Sequence, residues 1–399
     1  MSTEAEPQSG FRAPFSRAVA RARAFPDLRY DGAPRLLPVF ERHGVSAAPG
    51  GRMVRKATSP PTIEDVAREC GVGKMTVSRV INGGNLVSAA TAVRVRAAIR
   101  KLGYEPNEAA RLLKGQASHT IGLIIPDLAD RFFSTCAHAV QQFAAKHRYV
   151  TLLLASERDS DSEARELAMM KARNIAGVVL VPTSPDSIGQ LRDVRARGIP
   201  VVMMDRTFPG LDAGEVMVEN AQGAAKAVQH LVEHGHRSIL CAGYDSQFNS
   251  IAERIDGYEK AMLEAGLHSE VMIADEPAAL VPRLLKQLRG AKKPTALFSL
   301  NGVTTVNVLQ ALQRENIRVP DELAIIGFDD FEMAGLLSVP LTAVRQPAAE
   351  LGRSATRMLL DWIRSGSPDL RSVNQRILLP TELVIRRSCG CEIIRKPRE

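Results

Sequence analysis

The residues best equipped for chemistry lie in the stretch Thr62 to Asn82, TIEDVARECGVGKMTVSRVIN. Within it Lys74, Met75, Thr76, Ser78, Arg79 and Asn82 bring together an ammonium, a thioether, two hydroxyls, a guanidinium and a carboxamide. A guanidinium can make two hydrogen bonds to guanine in the DNA major groove, and a thioether can meet a thymine methyl. Hydroxyls and amides suit phosphate oxygens, which set register rather than sequence preference. Lys74 can serve either purpose. All six fall on the outward side of a segment whose inward side is Val77, Val80 and Ile81, best read as plain core.

Two short helices must hold that face. In the first, Ile63, Val66, Ala67 and Cys70 recur at helical spacing, and Glu64 and Asp65 occupy the opening turn, where the helix dipole favours acids. Thr62, with Asp65 three positions on, makes a shortened capping box. Gly71 ends this helix and Gly73 starts the second, which runs from Lys74 to Asn82. A glycine turn between two such helices presents the second to a major groove, read mainly from its N-terminal residues. The same pattern occurs without nucleic acid, so charge is the next test. Of a formal net charge of +8, residues 53–116 carry 11 Lys or Arg against 5 acids, and residues 1–52 carry 8 Arg against 5 acids. The remainder is near neutral, which suggests a polyanion partner for one module only.

Taken in order, residues 1–57 lack periodicity and read as a disordered extension. Its acids argue against a transit peptide, and Met53 would itself be a natural start for the module that follows. Residues 58–105 form a small all-helical domain. Its third helix runs from Ser88, the expected N-cap, to Leu102, with Val93, Val95, Ala98, Ile99 and Leu102 inward and Gly103 as its stop. Residues 106–117 hold a short helix opened by Pro106, which cannot stand alone and needs a second copy of itself or DNA. From 118 to 390 apolar strands alternate with amphipathic helices, and 391–399 is a tail. Expected strands are Thr120–Ile125, Val150–Leu154, Gly177–Val181, Val201–Met204, Ser238–Cys241, Thr295–Ser299 and Leu323–Phe328. The fold class is α/β, with two lobes of doubly wound parallel sheet and a ligand site beyond the carboxyl ends of the strands. The region around Val344, helix Ala348–Ile363 and strand Val384–Ile385 is expected to finish the second lobe.

The blocks TIEDVAREC…TVSRVING, GYEPNEAARLLKG, TIGLIIPDLADRFF, VENAQGAAKAVQHLVEHGHRSI, RIDGYEKAM, RVPDELAIIGFDD and LTAVRQP resemble the LacI/GalR family of bacterial transcription regulators over about residues 60 to 390. The resemblance implies a helix–turn–helix followed by a periplasmic-binding-protein-like effector domain. It implies Thr62, Lys74, Met75, Thr76, Ser78, Arg79 and Asn82 as DNA-contacting residues. In the short hinge helix Leu113 matches the leucine that family members wedge into the minor groove, flanked by Ala110 and Lys114. Around the effector it implies Phe132, Phe133, Asp205, Ser250, Arg254, Phe298, Asn301 and Asp329. An arginine and carboxylates give directional bonds to hydroxyls, and aromatic walls cover an apolar ring face. Two departures stand out. Gly73 occupies a position where the family commonly has serine, and Asn301-Gly302 replaces the Asn-Asp pair common in sugar-responsive members. Loss of that carboxylate leaves less negative charge in the cleft, which makes an acidic effector such as a sugar acid plausible beside a sugar.

These features imply a cytoplasmic homodimeric regulator, a repressor by preference, binding a pseudo-palindromic double-stranded operator under control of a sugar or sugar-acid-like effector. The alternative is a periplasmic-type solute-binding protein for a sugar, opposed by the basic N-terminal module. No apolar run approaches the roughly 18 residues of a membrane span. No cofactor is implied, and an enzyme is not expected: GxSxG, GxGxxG, HExxH and a defensible carboxylate pair are all missing. Gly71-Val-Gly-Lys74 lacks the first glycine of a phosphate loop. Five scattered cysteines fit a reducing compartment, with Cys70, Cys136 and Cys241 as core thiols. Cys389-Gly-Cys391 has no histidine or cysteine near it in sequence. His230, His234 and His236 are better explained by a helix end than by a metal.

Overall fold

The computed structural model describes residues 60–81, 87–105, 118–208, 210–211, 213–244, 248–275, 277–366 and 376–391. Asn82, Ala110, Leu113 and Lys114 lie outside these residues, as do the N-terminal extension and the hinge helix. The chain divides after Glu105 into two compact units.

In the first unit, α1 (Ile63–Cys70), α2 (Lys74–Ile81) and α3 (Ala89–Leu102) enclose a small core of Val66, Ala67, Cys70, Val77, Val80, Val95 and Ala98. The caps are those the sequence implies. The Thr62 hydroxyl accepts from Asp65 N at 3.3 Å, and Thr62 N donates to Asp65 Oδ2 at 2.9 Å, closing the box. Ser88 caps α3, while Gly71 and Gly103 end α1 and α3 in the left-handed conformation that only glycine adopts without strain. Val93 departs from expectation. It lies on the solvent side of α3 and is exposed, because Val95 and Ala98 occupy the inward stripe.

Among the described residues the second unit contains two six-stranded sheets built to one plan. The first holds β1 (Thr120–Ile125), β2 (Val150–Ala155), β3 (Gly177–Leu180), β4 (Val201–Met204), β5 (Gly214–Val218) and β11 (Arg376–Leu379), in the order β11-β5-β4-β3-β1-β2, all parallel. The second holds β6 (Ile239–Tyr244), β7 (Glu270–Ala274), β8 (Ala296–Ser299), β9 (Ala324–Phe328), β10 (Thr342–Arg345) and β12 (Glu382–Val384), in the order β12-β10-β9-β8-β6-β7. Only β12 runs antiparallel to its neighbour there. Central strands β3, β4, β8 and β9 are buried along their whole length, so they read as unbroken apolar runs.

Helices cover both faces of each sheet. On the first, α4 (Arg131–Lys146) and α11 (Ala348–Ser365) seal one face, and α5 (Ser160–Ala172) with α6 (Ile188–Ala196) seal the other. On the second, α7 (Asn220–Glu233) and α8 (Asn249–Glu264) seal one face, and α9 (Pro277–Leu288) with α10 (Gly302–Arg314) the other. Helices α4 and α11 meet so closely that a Cβ on Gly352 would stand 2.4 Å from the Cys136 carbonyl oxygen. Gly257 of α8 approaches the Ala221 carbonyl of α7 in the same way.

The last quarter of the chain corrects the expectation that it finishes the second lobe. It finishes both. Leu351, Ala355, Met358, Leu359 and Leu360 of α11 lie in the first lobe's core, and β11 joins the first sheet, whereas β10 and β12 belong to the second. The chain therefore crosses between the lobes three times, at residues 218–220, 345–348 and 379–382. The crossings are tied together, since Glu219 N donates to Leu379 O at 3.0 Å.

Candidate DNA-reading face and ligand cleft

The outward side of α2 carries Lys74, Met75 and Arg79, all exposed, with Thr76 and Ser78 half-buried beside them. Met75 is 68 % exposed, a large apolar side chain left in water on a helix that buries Val77 and Val80. The Lys74 ammonium is engaged by the Glu64 carboxylate of α1, and that hydrogen bond holds the Glu64 carboxyl below its ordinary range. Thr62 spends its backbone N–H and its hydroxyl on the capping box with Asp65. A second tie steadies the motif: Arg94 of α3 donates to Cys70 O at 2.5 Å, at the glycine turn. The face thus combines a fixed backbone with long, solvated cationic side chains.

In the second unit, residues just beyond the strand ends of both lobes converge. Asp130, Phe132 and Phe133 follow β1, and Asp205 and Arg206 follow β4. Tyr244 ends β6, Phe248, Ser250 and Arg254 follow it, Asn301 and Gly302 follow β8, and Asp329 follows β9. All of these line one space of about 50 Å³, which Gln346 also borders. Asp130, Phe132, Gly302, Val303, Asp329 and Gln346 also wall a larger groove of about 880 Å³. Of the eight residues expected here, seven are on the wall. Phe298 is not. It sits within β8, fully buried in the second lobe's core.

Asp205 and Asp329 adopt left-handed backbone conformations, with φ of 68° and 78°. Such strain in a non-glycine residue clusters where a side chain must be aimed. Asp329 Oδ2 accepts from Gly302 N at 2.9 Å, and its Oδ1 accepts from Gln346 Nε2 at 2.5 Å. The other side-chain atom of that amide, Gln346 Oε1, is buried with no partner among the described residues. Arg254 is buried, donating from Nε to Asn220 Oδ1 at 2.9 Å and from Nη1 to Leu300 O at 2.7 Å, with its guanidinium 3.8 Å from the centre of the Phe328 ring. Burial lowers its pKa, an effect opposed by Asp329 and Asp205. No carboxylate forms a salt bridge with it among the described residues. Asn301 uses its side-chain oxygen to cap α10, accepting from Thr304 N at 2.8 Å.

Burial raises the pKa of Asp205, although Arg206 Nε lies 3.3 Å from its Oδ2. It also raises that of Asp130, with Asp329 adding to the effect. Local sequence patterns did not single out Arg206, Phe248 or Gln346. Arg206 lies over the Phe248 ring at 3.9 Å and the Phe133 ring at 5.5 Å. Its position directly after Asp205 at a strand end was the available signal.

The reading of Cys389 and Cys391 as lacking partners also needs correction. The fold carries His230 and His234 to them from about 160 residues away in sequence. His236, by contrast, turns aside to the Thr295 hydroxyl.

Two family models match this chain. One, bacterial regulatory proteins of the lacI family, matches residues 62–107, and the other, a periplasmic binding protein-like domain, matches residues 228–389. The chain is similar to the HTH-type transcriptional regulator DegA of Bacillus subtilis, at 31% identity over 332 residues, covering 82% of this chain and 97% of that protein. It is equally similar to the HTH-type transcriptional repressor PurR of Photobacterium profundum, at 31% over 334 residues, covering 82% and 98%. Among solved structures, the lac repressor dimer bound to operator and the anti-inducer ONPF matches with a TM-score of 0.73 at 25% identity, covering 83% of this chain and 99% of that one. A complex of the transcriptional regulator CelR with cellobiose matches with a TM-score of 0.61 at 29% identity, covering 82% and 99%. No helix among the described residues is long and apolar enough to cross a membrane.

Proposed function

Since this chain belongs to the LacI family and is a DNA-binding transcriptional repressor of that family, we propose that it acts as a homodimer whose hold on a pseudo-palindromic operator is set by a small polyhydroxylated effector. Arg79 reads a base, Met75 and Lys74 add contacts beside it, and Lys74 exchanges its Glu64 partner for DNA. Two-fold symmetry in the protein is matched by two-fold symmetry in the operator.

The observation that carries the effector half is the convergence of seven strand-end residues from both lobes on one space. Asp329, aimed by Gly302 and Gln346, and the unpartnered Gln346 Oε1 present acceptors for hydroxyl groups. Arg254 presents a guanidinium that no carboxylate neutralises directly. Phe132, Phe133 and Phe248 supply apolar walls. Glycine at 302 leaves the cleft with Asp130, Asp205 and Asp329 but without a further carboxylate at that position, which makes room for a sugar acid as well as a neutral sugar. The space adjoins the larger groove of about 880 Å³, and relative movement of the lobes about the three crossings would change its size. An effector alters DNA affinity only to the extent that it binds the DNA-competent arrangement differently.

A thermal-shift panel of sugars, sugar acids, sugar phosphates and purines tests this reading, with Asp329→Ala run beside the natural chain. A ligand at about 100 times its dissociation constant adds roughly 2.7 kcal/mol to stability. The expected result is a sugar or sugar-acid hit that disappears in the variant and that changes the anisotropy of a labelled operator. A hit that survives Asp329→Ala, or silence from every sugar class, refutes the effector assignment.

A further inference from the structure

At the end of α7 the side chains of His230 and His234, one helical turn apart, face Cys389 and Cys391. His230 Nε2 lies 3.0 Å from Cys391 Sγ and 3.4 Å from Cys389 Sγ, and His234 Nε2 lies 3.0 Å from Cys391 Sγ. The two sulfurs are 3.0 Å apart, and both cysteines are free. One nitrogen from each histidine and the Cys391 sulfur all fall within 4.8 Å of one another. This cluster is remote from the strand ends that form the cleft, and nothing in DNA reading or effector binding uses it.

We propose that His230, His234, Cys389 and Cys391 bind one zinc ion, which ties the end of α7 to the segment after β12. The Nδ1 of His234 lies 2.7 Å from the His230 carbonyl oxygen, which can only accept. Nδ1 therefore carries the ring proton, and Nε2 directs a lone pair at Cys391. Cys391 Sγ thus meets two imidazole nitrogens and the Cys389 sulfur at once. Loss of the thiol protons would leave this group rich in lone pairs, which a cation would satisfy.

The donor set is the one that suits zinc. Two thiolates and two imidazoles are a borderline-soft S₂N₂ combination, and four protein ligands leave no open position, as in a structural site. With Zn–S near 2.3 Å and Zn–N near 2.05 Å, the edges of such a tetrahedron are about 3.4 to 3.8 Å. Reaching that range requires the two sulfurs, 3.0 Å apart, to part by about 0.8 Å and Cys389 Sγ, which lies outside the close group of His230, His234 and Cys391, to swing toward His234. The backbone is arranged for it. Gly390, at φ 85°, turns the chain so that both sulfurs face the same side, in a conformation a side chain would strain. Outer contacts orient the ligands, as metal sites require. The His230 carbonyl holds the His234 ring, and the Thr342 hydroxyl, which accepts from Arg386 N at 2.8 Å, donates to Cys389 Sγ at 3.2 Å. Cys389 and His230 are buried while His234 is exposed, so the ion has a way in from solvent.

The test is metal analysis of the untagged full chain purified without chelator, followed by titration of the metal-stripped protein with Co²⁺. The expected result is about one zinc per chain and, with cobalt, the intense visible bands of a tetrahedral site together with thiolate-to-cobalt charge transfer. His234→Ala and Cys391→Ser should each weaken zinc binding by at least about tenfold. His234 is exposed, so that variant should keep its circular dichroism spectrum. Chelation should lower the melting temperature of the natural chain and leave that of His234→Ala unchanged. Zinc well below one per chain, zinc content indifferent to both variants, or a Cys389–Cys391 disulfide in protein prepared under reducing conditions would each overturn the proposal.

Discussion

Gly302 is the position from which the charge preference of the cleft can be tested most directly. Its N–H donates to Asp329 Oδ2, and a Cβ built there would stand 3.4 Å from Asp329 Cβ and 3.7 Å from Asp329 Oδ2. Those are ordinary contacts for a Cβ, so the start of a side chain at 302 is tolerated, and Gly302→Asp is the substitution that adds a carboxylate there. It also falls in the first turn of α10, where a negative charge is favoured. The substituted carboxylate would stand within about 6 Å of an anion seated near Asp329 and Arg254. At an effective dielectric constant of about 20, two unit charges at that distance repel by roughly 3 kcal/mol. The helix N-terminus and Arg254 offset part of this, leaving about 1–2 kcal/mol, or roughly 5- to 30-fold weaker binding of a sugar acid. A neutral sugar of the same shape should change by about twofold at most. Calorimetric titration of both ligands against the natural chain and Gly302→Asp, at two salt concentrations, separates the outcomes. Equal losses for acid and neutral ligand would refute the electrostatic reasoning, and tighter binding of the acid would reverse it.

Arg79→Ala should cost about 1–3 kcal/mol of operator affinity and relax preference at one base pair, read by anisotropy on a set of single-base operator variants; an equal loss on every sequence would make Arg79 a phosphate anchor instead. Gly352→Ala forces α4 and α11 apart, since its Cβ would stand 2.4 Å from Cys136 O and 3.1 Å from Ala139 Cβ. The expected cost is about 1–3 kcal/mol, a fall of several degrees in melting temperature by calorimetry, and no fall would mean that the helices separate freely. Burial raises the Glu166 carboxyl to about 7, with nearby Glu163 adding to the effect. Its folded pKa is above its unfolded one, so the folded state holds the extra proton and stability declines as pH rises between about 4.5 and 7. Glu166→Gln should lessen the drop in melting temperature between pH 5 and pH 8; an unchanged drop would assign it to other groups.

What local pattern could reveal, it revealed well. The Thr62–Asp65 box, the stops at Gly71 and Gly103, and the buried strands β1, β3, β4, β8 and β9 are all written in nearest-neighbour chemistry. The elements that escaped notice have mixed signals. The edge strand β11 alternates exposed and half-buried positions over four residues, β7 begins at exposed Glu270 and buries only Met272 and Ala274, and α9 contains Pro282, which reads as a helix breaker. Strand β5 is only five residues long and opens with Gly214. Assignment of α11 to a lobe is a different matter. Its apolar stripe says that it packs, and only the tertiary fold says on which sheet. The same applies to the cleft. Asp205 and Asp329 come from the family resemblance, and their places at strand ends agree with it, whereas Gln346 reaches the site from a crossing between lobes. Phe298 shows the converse error, an aromatic near a strand end whose side chain points into the core. Cys389 and His230 are mutually invisible in sequence because about 160 positions separate them.

The interlaced path of the chain has a consequence for its synthesis on the ribosome. The first sheet has five of its six strands once Val218 has been made, yet the helix that completes the seal of one of its faces begins only at Ala348. About 130 residues separate the two, which at roughly 5–20 residues per second is on the order of 6–26 seconds. During that interval Val179, Val202 and Val216 lack the cover that Leu351, Ala355 and Leu359 later supply. The first lobe to be made is therefore not the first to be complete. Slowing translation between residues 218 and 348 should lengthen its exposure to chaperones and aggregation more than slowing it anywhere before β1.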